Sequence, residues 1–288
     1  MRRSTHTPRV WITGGGGLVG QYLLRAAPMV CPEWRITAPI RARLDLTDLA
    51  SVRRGFSEAD PDLVIHCAAL SRGHACETNP KLAQLLNVEL TRELTGLAAG
   101  IPLIGFSTDL VFDGKQGNYV ETDAPNPLSV YAATKLQGDE IVLRNPRHTI
   151  VRMSLICGVS REGDRSFTEQ MRLAWSRGET LRLFTDEFRC PLHASVAARA
   201  VWELARAGRT GLFHLAGNKR LSRWEIGEMV AARSPGLDTR MQRASIQDYS
   251  GPPRSPDTSM NCSKIQAVLS FPLPGLNDWV RNHPNEPL

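Results

Sequence analysis

Apolar residues in the first half of the chain follow two alternating rhythms. Short runs at Arg9–Thr13, Arg35–Ala38, Leu63–Ala68, Ile101–Phe106 and Thr149–Met153 have the length and β-branched content of strands. Between them, Leu18–Ala27, Thr47–Phe56, Asn79–Ala99 and Pro127–Leu143 read as helices. In Asn79–Ala99 the helical spacing is carried by Leu82, Leu85, Leu86, Leu90, Leu94 and Leu97. Leu63–Ala68 is apolar at successive positions, the pattern of a strand covered on both faces. Strands separated by helices predict right-handed crossovers and a parallel sheet, an α/β doubly wound fold of Rossmann type.

The second half is less regular. Ser166–Arg177, Ala194–Ala207 and Ser222–Val230 read as helices, the last opened by a Ser222…Glu225 capping box. Thr180–Phe184 and Gly211–Leu215 read as strands, and a proline- and serine-rich loop, Ser250–Ser259, precedes a short helical tail. The pattern changes near Gly158. It divides the chain into a Rossmann-type domain, residues 1–157, and a smaller lobe, residues 158–288, with the stretch around 190–215 returning to the first sheet.

The 288 residues are 42% hydrophobic, enough for one large core with an appended lobe. The net charge of +6 is spread over scattered arginines, apart from Arg2, Arg3 and Arg9, with no lysine-rich run. Nucleic-acid binding is therefore not expected. Met1–Pro8 is polar and no apolar h-region follows, so neither a signal peptide nor a membrane span is read, and the expected location is cytoplasmic. The six cysteines, Cys31, Cys67, Cys76, Cys157, Cys190 and Cys262, form no CxxC pair and suit free thiols in a reducing compartment. His66 lies in an apolar strand and reads as a core histidine. His74 and Cys76 lack partners at zinc-ligand spacing, so no metal is expected. Ser107, Ser154 and Ser195 lack the glycine-flanked elbow of a hydrolase. Trp175, Trp202, Trp224 and Trp279 fall on helices and read as packing residues.

The first strand runs directly into Gly14-Gly15-Gly16-Gly17-Leu18-Val19-Gly20. Glycines at Gly14, Gly17 and Gly20 suit a tight strand-to-helix turn in which phosphates approach the backbone. The free N–H groups of the helix start, at Leu18 and Val19, then face a pyrophosphate. After the second strand, Ala38-Pro39-Ile40-Arg41-Ala42-Arg43 offers no carboxylate for a ribose 2′-hydroxyl. Arg41 and Arg43 suit a 2′-phosphate instead, which favours NADPH and leaves NADH open.

Tyr131 and Lys135 are four residues apart on one helix and share a face. A lysine ammonium near a phenol favours the phenolate, so the tyrosine can give its proton to a ketone as hydride arrives. Ser107 and Thr108 follow the fourth strand at its carboxyl end, where open α/β sheets build their sites. Either hydroxyl can bind the same ketone oxygen.

These motifs sit among longer strings: Leu44-Asp45-Leu46-Thr47-Asp48, Pro61-Asp62-Leu63-Val64-Ile65-His66-Cys67-Ala68-Ala69, Ser107-Thr108-Asp109-Leu110-Val111-Phe112-Asp113-Gly114, Asn126-Pro127-Leu128-Ser129-Val130-Tyr131 and Gly211-Leu212-Phe213-His214-Leu215-Ala216-Gly217. Together they resemble the extended short-chain dehydrogenases/reductases, and within them the dTDP-4-dehydrorhamnose reductase family. The resemblance implies reduction of a 4-keto group on a deoxysugar carried by a nucleoside diphosphate. It implies Tyr131 as proton donor, Lys135 as its partner and Thr108 at the carbonyl. Asp45 and Leu46 would border the adenine, Ala68 and Ala69 would line the cofactor, and Asp109 and Leu155 would lie at the sugar. Arg189, in Thr185-Asp186-Glu187-Phe188-Arg189-Cys190-Pro191, would bind the diphosphate, or else pair with Asp186 or Glu187. Two positions depart from the family pattern: Leu110 stands where tyrosine is usual, and Leu155 where tryptophan is. A nucleotide-sugar epimerase and a non-catalytic, NADP-binding subunit like the β subunit of methionine adenosyltransferase are the alternatives, and a homodimer is compatible with all three.

Overall fold

The computed structural model describes residues 7–288; Arg2 and Arg3 lie outside them. Strands β1 (Arg9–Thr13), β2 (Arg35–Thr37), β3 (Leu63–His66), β4 (Leu103–Thr108) and β5 (Thr149–Met153) join Gly211–Leu215 in one six-stranded parallel sheet. Its order is Gly211–Leu215, β5, β4, β3, β1, β2. The chain thus runs outward from β1 to β2 and then crosses back to place β3 on the other side of β1. The crevice at the carboxyl ends of β1 and β3 is the topological switch point, where open α/β sheets bind ligands.

Period-two alternation divides the core between the two sheet faces. Val10, Ile12, Leu63 and Ile65 face one layer, in which helix α1 (Leu18–Val30) packs against Ala194–Arg206. Alanines at 197, 198 and 200 let those helices approach closely, and Trp202 Nε1 donates to the Leu23 carbonyl at 2.8 Å. Trp11, Val64, Leu103 and Ile150 face the other layer, with Val52 of α2 (Leu49–Ala59), Leu90, Leu94 and Val142. The continuous burial of β3 follows from this double cover.

The expected helix over Asn79–Ala99 is interrupted. Pro80–Gln84 and Leu90–Leu97 are α-helical, but Leu85–Glu89 forms a wide π-type turn. The reason is Asn87. Buried among leucines, it bonds the backbone N–H and carbonyl of Leu70 and donates to Thr134 Oγ1. The helix expected from Pro127 begins at Val130, where Ser129 caps it.

The C-terminal half has its own core of Met171, Trp175, Leu183, Ile226, Leu276 and Trp279. Leu181–Phe184 pairs with Met241–Ala244, and Phe188–Arg189 with Leu221–Ser222. Capping boxes at Ser166/Glu169 and Ser222/Glu225 start two of its helices. At the outer edge of the main sheet, charged side chains occupy backbone groups of Gly211–Leu215: Glu121 accepts from His214 N–H at 3.0 Å and Lys264 donates to the Leu212 carbonyl at 2.7 Å.

Two core histidines are neutral. Thr91 Oγ1 donates to the Asn87 carbonyl, so it accepts from His66 Nε2, and His66 Nδ1 accepts from Thr13 Oγ1 at 2.7 Å. Burial, aided by Lys135, pushes His66 down to about 3. His193 stacks on Trp279 at 3.5 Å, and burial, with His283, pushes it to about 3 as well. Burial also pushes Glu187 up, but Arg223 and Arg254 outweigh this and hold its carboxyl at about 2. Both histidines protonate in the unfolded chain near pH 6.5 and resist protonation in the folded one. Stability is therefore intact above that pH and falls below it, by about 1.4 kcal/mol per pH unit for each histidine. Glu187 adds a further loss as pH falls from about 4.5 toward 2. Urea denaturation should show a midpoint that declines from pH 6.5 to 4.5; a flat midpoint contradicts neutral burial.

Candidate active site

The glycine turn lies at the switch point. Gly14 has φ of +73°, and a Cβ there would sit 2.6 Å from the Ala68 backbone nitrogen. A Cβ on Gly20 would meet the Gly14 carbonyl oxygen at 2.4 Å. The turn after β1 is thus pressed against the residues that follow β3, Cys67 and Ala68. Gly17 is the N-cap of α1, with no side-chain cap and no acidic residue in the first turn. The N–H groups of Leu18 and Val19 therefore point out of the helix start without an internal partner. This is the cradle that a dinucleotide pyrophosphate requires, and its donors are backbone groups that no side chain competes for.

Beyond β2 a cleft of about 1000 Å³ opens, lined by Ala38, Pro39, Ile40, Arg43, Leu44 and, from α2, Arg54 among others. Of the two candidates for a 2′-phosphate, Arg43 lines this cleft and Arg41 is exposed outside its lining. Arg54 was not foreseen; it belongs to α2, well away in sequence from the β2 end. Asp45 accepts from the backbone N–H and hydroxyl of Thr47 and so shapes the loop into α2, with Leu46 half-buried beside it.

At the carboxyl ends of β4 and β5 the second group of side chains converges. Thr108 is buried at the end of β4, and its Oγ1 accepts from Leu110 N–H. The half-buried Tyr131 faces it from the first turn of helix Val130–Leu143. Lys135 is buried one turn further on. Burial pushes the Tyr131 phenol above its ordinary value and Asp109 pushes it the same way, while the Thr108 hydroxyl and Arg189 oppose them. Lys135 was expected to lower this phenol; burial and Asp109 raise it instead. Burial also lowers Lys135, against the pull of Asp139 and Cys67.

Asp109 and Arg189 differ from expectation. Asp109 has no exposure, and its carboxylate accepts from Arg189 Nε at 2.8 Å and Nη2 at 2.5 Å, Ser154 Oγ at 2.8 Å and Thr258 Oγ1 at 3.1 Å. Arg189 therefore pairs with neither Asp186 nor Glu187. A guanidinium 4% exposed and already held in a fork by a carboxylate is not free for a diphosphate. The diphosphate reading of Arg189 is corrected accordingly. Glu187 is satisfied by Arg223 and Arg254, and Asp186 by Ser245 and the Ile246 N–H. Leu155 is half-buried, packs with the C-terminal core, and its carbonyl accepts from Leu192 N–H. Sequence reasoning also missed Asn87, whose one local signal is an amide amid leucines. Among the described residues, no group of three His, Cys, Asp or Glu side chains could hold a metal, and no helix is long and apolar enough to cross a membrane.

A glycine cradle at the switch point, followed by threonine, tyrosine and lysine at the ends of β4 and its neighbouring helix, defines the extended short-chain dehydrogenases/reductases. The model of the RmlD substrate binding domain family matches residues 8–283, and the chain belongs to that family. It is 31% identical over 288 residues to a dTDP-4-dehydrorhamnose reductase of Sinorhizobium fredii, covering 95% of each chain. It is 28% identical over 276 residues to the β subunit of methionine adenosyltransferase 2 from Xenopus laevis, covering 90% of this chain and 82% of that one. A dTDP-4-dehydrorhamnose reductase from Bacillus anthracis, solved in complex with NADP, shares the fold with a TM-score of 0.87 at 22% identity, covering 96% of this chain and 98% of that one.

Replacing Arg43 by alanine is expected to weaken NADPH binding about 10- to 100-fold, the loss of one charge-assisted contact, with little change for NADH. Arg41→Ala should have the smaller effect. Fluorescence titration of both cofactors checks this; equal losses for NADH and NADPH would count against a 2′-phosphate role. Arg189→Met leaves Asp109 buried and unpaired, and should cost about 3–5 kcal/mol in urea denaturation. A loss under about 0.5 kcal/mol would mean that the pair is not structural.

Proposed function

We propose that this protein is an NADPH-dependent reductase of a 4-keto-6-deoxy sugar linked to a nucleoside diphosphate. The observation that carries the reading is the convergence of Thr108, Tyr131 and Lys135 at the sheet's carboxyl edge, beside a glycine cradle with unclaimed backbone N–H groups. When bound, the reduced nicotinamide supplies hydride; the protein's residues bind, orient and move the proton. Gly14, Gly17, Leu18, Val19 and Gly20 would hold the pyrophosphate, Ala68 and Ala69 the adjacent wall, and Asp45, Leu46 and Arg43 the adenosine end. Thr108 would bind the ketone oxygen while Tyr131 donates its proton to it, and Lys135 would stabilise the phenolate left behind. Asp109 would act on the sugar indirectly, by fixing the end of β4. Leu110 and Leu155 make the sugar side less aromatic than is usual in the family. Free thiols at all six cysteines suit a reducing, cytoplasmic setting.

The likeness to a methionine adenosyltransferase β subunit supports a second reading, an NADP-binding regulatory subunit. NADPH consumption with dTDP-4-keto-6-deoxy sugars separates the two. The reductase should turn over, and Tyr131→Phe should lower kcat about 10²- to 10⁴-fold with cofactor affinity kept. Absence of turnover on every nucleotide sugar, together with tight complex formation with another protein, would favour the regulatory reading.

A further inference from the structure

Tyr131, Lys135 and Asp139 follow one another at four-residue intervals on helix Val130–Leu143 and so share a face. The first two belong to the proposed chemistry; the third is unassigned. Asp139 is 2% exposed and lies a full turn beyond Lys135, away from the site. Its Oδ2 accepts from Arg152 Nε, on β5, at 3.0 Å, in an ion pair with both side chains buried. The Arg152 guanidinium lies 5.3 Å from the Phe112 ring, and its Nη1 is buried without a hydrogen-bond partner. Its position is thus set by packing on one side and by Asp139 on the other.

The groups around Lys135 come from three elements. From β3 and the residue after it come His66 and Cys67. His66 is neutral, with both ring nitrogens engaged by threonines, and burial pushes the Cys67 thiol up so that it too is uncharged. From β5 comes Arg152, a cation that meets Lys135 through their common neighbour Asp139. From the lysine's own helix come Tyr131, a neutral phenol, and Asp139. Asp139 is therefore the carboxylate that favours an ammonium on Lys135, and it does so against burial. Burial in turn disfavours the charged Asp139, and Arg152, Ser107 and Lys135 oppose that effect.

We propose that Asp139 is a positioning residue of this reductase, anchored by Arg152 so that it holds Lys135 as an ammonium one turn from Tyr131. The proposal rests on the reductase reading above. The Asp139 carboxylate is bonded to Arg152 and acts through space on Lys135, whose charge would then meet the phenolate. The step balances: the ketone carbon gains hydride from the reduced nicotinamide, its oxygen gains the Tyr131 proton, and the negative charge left on the phenol is met by Lys135. Without Asp139 the buried lysine loses its proton at lower pH, and the stabilisation goes with it.

The test is the pH profile of NADPH oxidation by the full-length protein and its Asp139→Asn and Asp139→Glu variants. Asp139→Asn should move the alkaline limb of kcat down by a pH unit or more and lower kcat about tenfold at pH 8, with KM for the nucleotide sugar little changed. Asp139→Glu should return the limb toward its original position. Should Asp139→Asn fail to fold, the double variant Asp139→Asn/Arg152→Gln replaces the ion pair with neutral amides and should show the same shift. A kcat lowered equally at every pH, with the limb unmoved, overturns the proposal in favour of a purely structural pair. The pH dependence of NADPH affinity gives a readout that does not need turnover. If no nucleotide sugar is reduced, the reductase reading fails, while a downward shift of the alkaline loss of NADPH affinity in Asp139→Asn still supports control of Lys135 by Asp139. An unmoved affinity profile overturns it.

Discussion

The Asp109 carboxylate is cut off from water and is met by four side chains that arrive from separate parts of the chain. Thr108 precedes it at the end of β4, Ser154 follows β5, Arg189 comes from the C-terminal half, and Thr258 comes from the loop rich in proline and serine. A lone buried carboxylate would cost several kcal/mol, and the same group with a forked arginine and three hydroxyls becomes a fixed point. The parallel sheet and the smaller half are registered against each other there. Thr108 is adjacent to that point in sequence, so the geometry of the hydroxyl expected at a carbonyl follows from a contact made eighty residues away.

The rest of the site is arranged around the same sheet edge by local steric demands. Gly14 and Gly20 have no room for a Cβ, because the turn after β1 and the first turn of α1 are packed on each other and on Ala68. Helix Val130–Leu143 is capped by Ser129, and Glu77 accepts from the Val130 N–H, so its first turn, which carries Tyr131, is held at both side chain and backbone. Asn87 then ties Leu70, next to Ala69, to Thr134 on that helix. Ser129, Glu77 and Asn87 thus fix the helix that carries Tyr131 and Lys135.

Much of this was legible in the sequence because it is local. Arg9–Thr13, Thr149–Met153 and Gly211–Leu215 begin and end where their apolar runs do, and the Ser222…Glu225 box forms as its spacing implies. The glycine turn was readable because strand, turn and helix are contiguous. What was not legible depends on partners distant in sequence. The leucine periodicity of Asn79–Ala99 describes a continuous helix and carries no sign that Asn87 would be drawn out to Leu70. Arg189 has two acids in its own segment, and neither wins; Asp109 does, because the fold buries them together.

The outer strand Gly211–Leu215 carries one further consequence. Parallel sheets end in rows of backbone donors and acceptors that can recruit a strand from another molecule. Here Glu121 and Lys264 lie across that row and take up the His214 N–H and the Leu212 carbonyl, while the opposite border is a strand of only three residues. Neither border of the main sheet presents a long open row of backbone groups, so pairing with a strand of another molecule is disfavoured there, on one side by two ordinary surface charges.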